Sequence, residues 1–343
     1  MQAERLHIVS PASAEANNGN WQSARRWARF LRARYRVTVA SGWPDPAANG
    51  DAPDVLIALH ARRSAAALAA YKLAWPRRPA ILLLTGTDLY RDIRHDASAQ
   101  ASLARADALV VLQPAGLAEL PSAWRGKAQV IFQSAATLRH TVTDAQQRDR
   151  GQFRDIIMIG HLRAEKDPAT FMRAAALVTV PRARLLHVGA ALEPELGRLA
   201  EATQTSCARY RWLGNVAHAA TRQRLKRSDL MVIASLMEGG ANVIIEAVTS
   251  GVPVLASDIG GNRGMLGDDY AGYFPTGDAA ALARLIDRSL SDTAFYDTLV
   301  AQCAARAPLF APAAEQAAVL RLVDNLLHAP EALLAPYMNG KTP

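Results

Sequence analysis

Short continuous apolar runs alternate with helix-spaced apolar positions along nearly the whole chain. In the first half the strand candidates are RLHIVS (5–10), YRVTVAS (35–41), DVLIALH (54–60), AILLLTG (80–86), ALVVLQ (108–113) and AQVIFQS (128–134). Helix-spaced segments such as WQSARRWARFLRARY (21–35) and RRSAAALAAYKLAW (62–75) lie between them. Strands apolar on both faces and separated by helices predict a parallel sheet covered on each side. The polar stretch AATLRHTVTDAQQRDRGQ (135–152) lacks periodicity and reads as a linker. The alternation then restarts with FRDIIMIG (153–160), ARLLHVGA (183–190), RYRWLGN (209–215), LMVIAS (230–235), VPVLAS (252–257) and AGYFP (271–275). Only helices follow, over about 278–290, 293–307 and 313–328. The pattern predicts an α/β protein of two doubly wound, Rossmann-like domains, 1–150 and 151–312. A C-terminal helix and tail, 313–343, is expected to pack back on the first. Parallel sheets facing across a cleft would bind a ligand at the carboxyl ends of their strands.

The 343 residues suit two domains, and a hydrophobic fraction of 50% supplies a core for each. No apolar run has the length of a signal peptide or a membrane span, so a cytoplasmic protein without stable membrane insertion is expected. Cys207 and Cys303 have no metal-ligand spacing and read as free thiols. The net charge of +8 points to an anionic partner. No zinc-finger, RNP or basic-tail signature accompanies it, which favours small anions over nucleic acid. The helix around Trp27 and Leu31, with Arg25, Arg29 and Arg32 elsewhere on its surface, admits a membrane-surface reading. Packing of its apolar face on the sheet is the plainer one. Oligomeric state is not legible.

The densest chemistry is SLMEGGANVIIEAVTSGVPVLAS (235–257). Glu238 and Glu246 stand eight positions apart, one before and one inside a largely apolar helix, and a carboxylate in apolar company needs a partner. Gly239 and Gly240 permit close backbone approach. Asn242 reads as the N-cap, with Ala241 and Val243 beside it, and the helix start favours a diphosphate. A fully helical stretch would separate the carboxylates by about 12 Å, the scale of a nucleotide sugar. IGHLRAEKDP (159–168) adds His161, Arg163 and Lys166, whose plainer reading is surface charge near a helix start. WLGNV (212–216) offers Gly214, Asn215 and Val216, and SDIGGN (257–262) offers Asp258, Gly260 and Gly261; both also suit ordinary turns.

In the first half, Gly19 in ANNGNW (16–21) would let backbone amides approach a phosphate. ALHARRS (58–64) and LTGTDLYRDIRHD (84–96) bring His60, Arg62, Arg63, Thr87, Asp88, Tyr90, Arg91 and Arg94 to strand ends. Guanidinium groups there suit an anionic acceptor.

The two glutamates in EGGANVIIEAVTSGVPVLASDIGGN, with the basic segment after the first strand of the second half, resemble glycosyltransferase family 4. The resemblance implies the GT-B fold, with a nucleotide sugar on the second domain and an acceptor on the first. It implies that Glu238 contacts the donor sugar and Glu246 the ribose. Lys166 then holds the diphosphate, with Gly19 and the loop Gly214–Val216 near the donor. The position usually held by Arg is His161, and Arg163 is expected to take over its charge. No metal or other cofactor is expected, because cations and helix dipoles would stabilise the leaving group.

The segments LTGTDLYRDI, VVLQPAGLAELP, GHLRAEKDP, RYRWLGN, MEGGANV, GDDYAGYFP and FYDTLVAQCAARAPLF resemble a narrower group, the selenosugar synthases of bacterial selenoneine biosynthesis. That resemblance implies transfer of N-acetylglucosamine or glucose from a UDP-sugar to selenophosphate. A carbon–selenium bond forms, and UDP and phosphate are released. His60, Arg62, Arg63, Thr87, Asp88 and Arg91 would then bind selenophosphate. Two other readings remain: a family 4 O-glycosyltransferase with a hydroxyl acceptor, and a non-catalytic protein binding nucleic acid or anionic membranes.

Overall fold

The computed structural model describes residues 3–11, 19–44, 52–138 and 153–328. Residues 16–18 beside Gly19, most of the expected linker and the expected tail lie outside the described residues. The chain forms two compact units. One runs to Gln133 and takes in the helix that starts at Pro312; the other spans Ser134–Ala311.

The first unit contains β1 (Arg5–Val9), β2 (Arg36–Ala40), β3 (Val55–Leu59), β4 (Ala80–Leu83), β5 (Ala108–Val111) and β6 (Ala128–Val130). They form a parallel sheet in the order β2-β1-β3-β4-β5-β6. β3, β4 and β5 are buried at every position, as interior strands covered on both faces must be. β2 alternates between exposed and half-buried positions because it is an edge. Alternate residues feed two cores. Leu6, Ile8, Val55, Ile57, Ile81 and Val110 pack on one face. Leu56, Ala58, Leu82, Leu109 and Val111 pack on the other.

The helix Gly19–Leu31 lies on the first of these cores. Trp27 and Leu31 are buried, whereas Arg25, Arg29 and Arg32 are exposed. The helix Pro312–His328 adds Val319, Leu322 and Val323 to the same core. Glu315 sits there with a fully buried carboxylate, which accepts from Arg26 Nε at 2.7 Å and Trp27 Nε1 at 2.9 Å. A buried carboxylate is tolerated only with such partners.

The second unit contains β7 (Arg154–Ile159), β8 (Ala183–Val188), β9 (Tyr210–Trp212), β10 (Leu230–Ile233), β11 (Val254–Ser257) and β12 (Tyr273–Phe274). The order is β12-β11-β10-β7-β8-β9, again parallel. From β7 the chain adds strands on one side through β9, then returns to add β10 to β12 on the other. β7 and β10 therefore flank the topological switch point, where loops leaving the strand ends diverge and open space for a ligand.

Several strands stop short of their apolar runs. Leu84, Leu112 and Ile131 are still buried, but they fall beyond the ends of β4, β5 and β6. The Leu84 and Ile131 amides still donate to the Val110 and Val111 carbonyls, at 2.9 and 3.0 Å, so the last bonds of the ladder run just past the strand ends. The first helix also ends at Leu31, before Tyr35.

Candidate functional site

After β7 the chain makes a tight loop, Gly160–Arg163, then a short 3-10 turn, Ala164–Lys166. Glu193 Oε1 accepts from the Ala164 amide at 2.8 Å and holds this turn from the side. Asp167 takes the left-handed conformation (φ 41°) and caps the helix Pro168–Leu177, accepting from Thr170 Oγ1 at 2.6 Å. Capping thus falls to Asp167, which leaves Arg163 and Lys166 available for other work. Arg163 has no ion pair among the described residues, and its buried Nε is without a hydrogen-bond partner. His161 Nδ1 accepts from the Ala190 amide at 3.1 Å, so the ring proton lies on Nε2 and is free to be donated. Burial, with help from Arg163 and Lys166, lowers the pKa of His161 and keeps it neutral at neutral pH.

The loop after β10 meets this turn. The Leu236 amide donates to the Glu165 carbonyl at 2.9 Å, and Lys166 Nζ donates to Glu238 Oε1 in an ion pair. Only 19% of the Lys166 side chain and 10% of the Glu238 side chain are exposed, so the pair is far better insulated than a surface one. Ser235 Oγ donates to the same Glu238 oxygen at 2.6 Å. Behind it, Ser257 Oγ donates to the Ser235 carbonyl at 2.6 Å. Asn262 Nδ2 donates to the Ser257 carbonyl at 2.9 Å and its hydroxyl at 3.1 Å. Sequence reading did not single out Ser235, Ser257 or Asn262 as functional. Nothing in their spacing marks them: the bond from Ser257 to Ser235 joins two strand ends, and the bonds to Glu238 and from Asn262 form only once those loops fold. Of the residues in SDIGGN, Gly261 packs against Glu238, whereas Asp258 pairs outward with Arg263 at 2.6 Å.

Asn242 is not the N-cap. Ala241 holds that position without a side-chain bond, and Asn242 is the first residue of the helix Asn242–Thr249. Glu238 precedes this helix, so the separation expected for one continuous helix does not apply. Gly239 is buried, and Gly240, Asn242 and Val243 are half-buried. Glu246 lies in the second turn, 13% exposed, and its Oε1 is 2.7 Å from His218 Nε2. The bond to Glu246 raises the pKa of His218 against the opposing effects of burial and Arg222. His218 was not foreseen, since a histidine at a helix start carries no signal until its neighbour is known. In the loop after β9, Gly214 is left-handed (φ 66°) and its carbonyl accepts from the Gly189 amide at 2.9 Å. Asn215 is exposed, and the Val216 carbonyl accepts from Thr221 Oγ1 at 3.2 Å.

In the first unit, Gly19 opens the first helix, and its carbonyl accepts from Ser23 Oγ at 2.8 Å. His60 is buried after β3 with a positive φ of 73°; its Nε2 lies 3.2 Å from Thr87 Oγ1. Burial lowers the pKa of His60 and favours its neutral form. Arg62 pairs with Asp92 at 2.8 Å and Arg91 with the same carboxylate at 3.3 Å. Arg63 is exposed. Asp88 does not suit a ligand contact. It is fully buried and accepts from the amides of Ala61, Thr85 and Gly86, each at 2.9 Å. That arrangement ties two strand-end loops together, and the Asp88 carboxylate itself is spent on those amides rather than on an anion. Asp92, unnoticed in the sequence, organises the arginines.

No helix among the described residues is long and apolar enough to cross a membrane. Residues 141–307, the stretch that carries Lys166, Glu238 and Glu246, match the family model described as Glycosyl transferases group 1. A curated relative, protein CapJ of Staphylococcus aureus, is 42% identical over 62 residues. The match spans 18% of this chain and 15% of that protein's length. Among solved structures, HepE of Anabaena in complex with UDP and glucose superposes with a TM-score of 0.76 at 17% identity, covering 94% of this chain and 100% of that one. Sucrose-phosphate synthase of Thermosynechococcus elongatus gives 0.77 at 19% identity, covering 95% and 100%. The pneumococcal O-GlcNAc transferase GtfA in complex with UDP and GlcNAc gives 0.61 at 17% identity, covering 80% and 57%. These likenesses assign the GT-B fold.

Proposed function

We propose that this chain, with a GT-B fold and a stretch that matches the group 1 glycosyl transferases, transfers a sugar from a UDP-sugar, and that its acceptor is selenophosphate. One observation carries the donor side of this reading. Lys166, Glu238 and Ser235 converge at the switch point of the second sheet, beside an Arg163 that has no ion partner among the described residues. A diphosphate supplies the negative charge that Arg163 lacks, and the His161 Nε2 proton adds a neutral donor. A sugar hydroxyl can donate to the remaining Glu238 oxygen. Glu246 is assigned to the ribose, and the amide-rich start of the helix Asn242–Thr249 to the phosphates. UDP as the nucleotide agrees with the UDP bound by HepE and GtfA.

In the proposed reaction, a selenium lone pair attacks the anomeric carbon. The bond from that carbon to the diphosphate oxygen breaks, and its electron pair leaves with UDP. Lys166 and Arg163 stabilise the charge that grows on that oxygen, so no metal is assigned. Selenium is a strong nucleophile in its anionic form and needs no general base. Water then attacks phosphorus, the selenium–phosphorus bond breaks with its electron pair going to selenium, and phosphate and the selenosugar are released. The selenophosphate dianion is assigned to Arg62, Arg63 and Arg91, with His60 and Thr87 as neutral contacts.

The test is mass spectrometry of products from a mixture of UDP-sugars and selenophosphate. The reading expects a selenosugar and stoichiometric UDP. A glycosylated hydroxyl compound with selenophosphate untouched would make the chain an O-glycosyltransferase. UDP never released from any donor would exclude a UDP-sugar transferase.

A further inference from the structure

We propose that His218 is a positioning residue for the nucleotide. It holds Glu246 by one carboxylate oxygen and so aims the other at the ribose hydroxyls. The inference rests on the reading of Glu246 as a donor contact.

The geometry is specific. His218 is the first residue of the helix His218–Arg227, whose N-cap, Ala217, makes no side-chain cap bond. The imidazole has no role at its own helix start and reaches instead to the neighbouring helix, Asn242–Thr249. Its Nε2 lies 2.7 Å from Glu246 Oε1, while no bond is made to Oε2 among the described residues. The nearest alternative cation is Arg222, one turn along the same helix, and its guanidinium donates to the Ala136 carbonyl at 2.7 Å. Glu246 and Arg222 are the charged groups acting on the imidazole. Glu246 is 13% exposed and His218 is 49% exposed, so the carboxylate is the recessed partner and the imidazole is its outer wall.

A glutamate has three side-chain torsions, and a hydrogen bond to one oxygen removes most of that freedom before a ligand arrives. A carboxylate so fixed offers Oε2 in one direction. Without the imidazole it would have to be ordered at the moment of binding. His218 therefore confers discrimination for a ribose that carries its hydroxyls, rather than general affinity for the diphosphate.

The test compares Kd for UDP and for 2′,3′-dideoxy-UDP by calorimetry, using the full chain. Wild type is expected to prefer UDP, and His218→Ala to lose about tenfold of that preference, the size of one charge-assisted hydrogen bond. His218→Gln places an amide donor near the former Nε2 and is expected to keep the preference. In a Glu246→Ala background, His218→Ala is expected to change nothing further. A wild-type ratio in His218→Ala overturns the inference, as does an equal loss in the Glu246→Ala background. Wild-type protein that binds no UDP overturns the functional reading and this inference with it. Tight UDP binding with an unchanged ratio in His218→Ala overturns the inference alone.

Discussion

A β-carbon at Gly261 would lie 2.0 Å from the Glu238 carbonyl oxygen and 3.1 Å from the Glu238 β-carbon. The backbone of the acidic loop is thus seated directly on the start of the helix Gly260–Leu266. Real β-carbons do not approach an oxygen so closely. Gly261 is required by this contact, and the requirement comes from packing rather than from its own backbone angles.

Gly261→Ala is therefore expected to push the Glu238 loop away from its place. Overpacking a tight backbone contact costs about 1–3 kcal/mol. Denaturant unfolding should register the loss, and the displaced carboxylate should weaken sugar-dependent turnover more than UDP binding. Unchanged stability together with unchanged turnover would show that the loop does not depend on this seat.

Lys166→Ala removes the cation from a carboxylate that is only 10% exposed. The bare charge is disfavoured in that setting, because its counter-charge is gone and water reaches it poorly. Turnover with a UDP-sugar is expected to fall at least about a hundredfold, as for loss of one stabilising group in other charge-developing reactions. Glu238→Ala is expected to fall as far. Wild-type rates in either variant would remove that residue from the reaction.

His218 should titrate above its ordinary value of 6.5, because Glu246 accepts its proton-bearing nitrogen. The sign follows from linkage. The folded state holds the proton more tightly, so the stabilisation is complete below about 6.5 and fades as pH rises through the higher folded value. Proton NMR of the imidazole checks this. Glu246→Gln should bring the midpoint down, leaving burial and Arg222, which both lower it.

Glu315→Ala would leave Arg26 as a buried cation without its carboxylate and Trp27 Nε1 without an acceptor. Breaking a buried ion pair from one side costs about 3–5 kcal/mol. Thermal unfolding should show the first unit strongly destabilised. A loss below about 1 kcal/mol would mean that the helix Pro312–His328 is held by its apolar face alone.

Much of the fold was legible. The uniformly apolar runs that became β3, β4, β5 and β10 declare strands covered on both faces, and their alternation with helices declares parallel order. Strand ends were less legible, since Leu84, Leu112 and Ile131 stay buried beyond the ends of β4, β5 and β6. At the candidate site, sequence brought out Lys166, Glu238 and Glu246 because charge inside apolar segments is conspicuous. It misjudged Asp88, whose polarity serves buried backbone amides, and Asn242, whose neighbour Ala241 holds the cap. It passed over His218, whose partner Glu246 lies on another helix, and Ser235 and Asn262, whose bonds to Glu238 and Ser257 depend on how the loops fold rather than on any period.

The sequence by itself determined the alternation of strands and main helices, though not their ends, that the sheets are parallel, and which residues carry unusual charge. Those properties follow from the local period of apolar side chains and from the cost of burying a carboxylate. Only the tertiary structure decided which strands flank the switch point, that Lys166 and Ser235 share one oxygen of Glu238, and that Gly261 makes room for it. Such choices depend on loops from separate strands meeting within hydrogen-bond distance, and a period along one segment holds no information about that meeting.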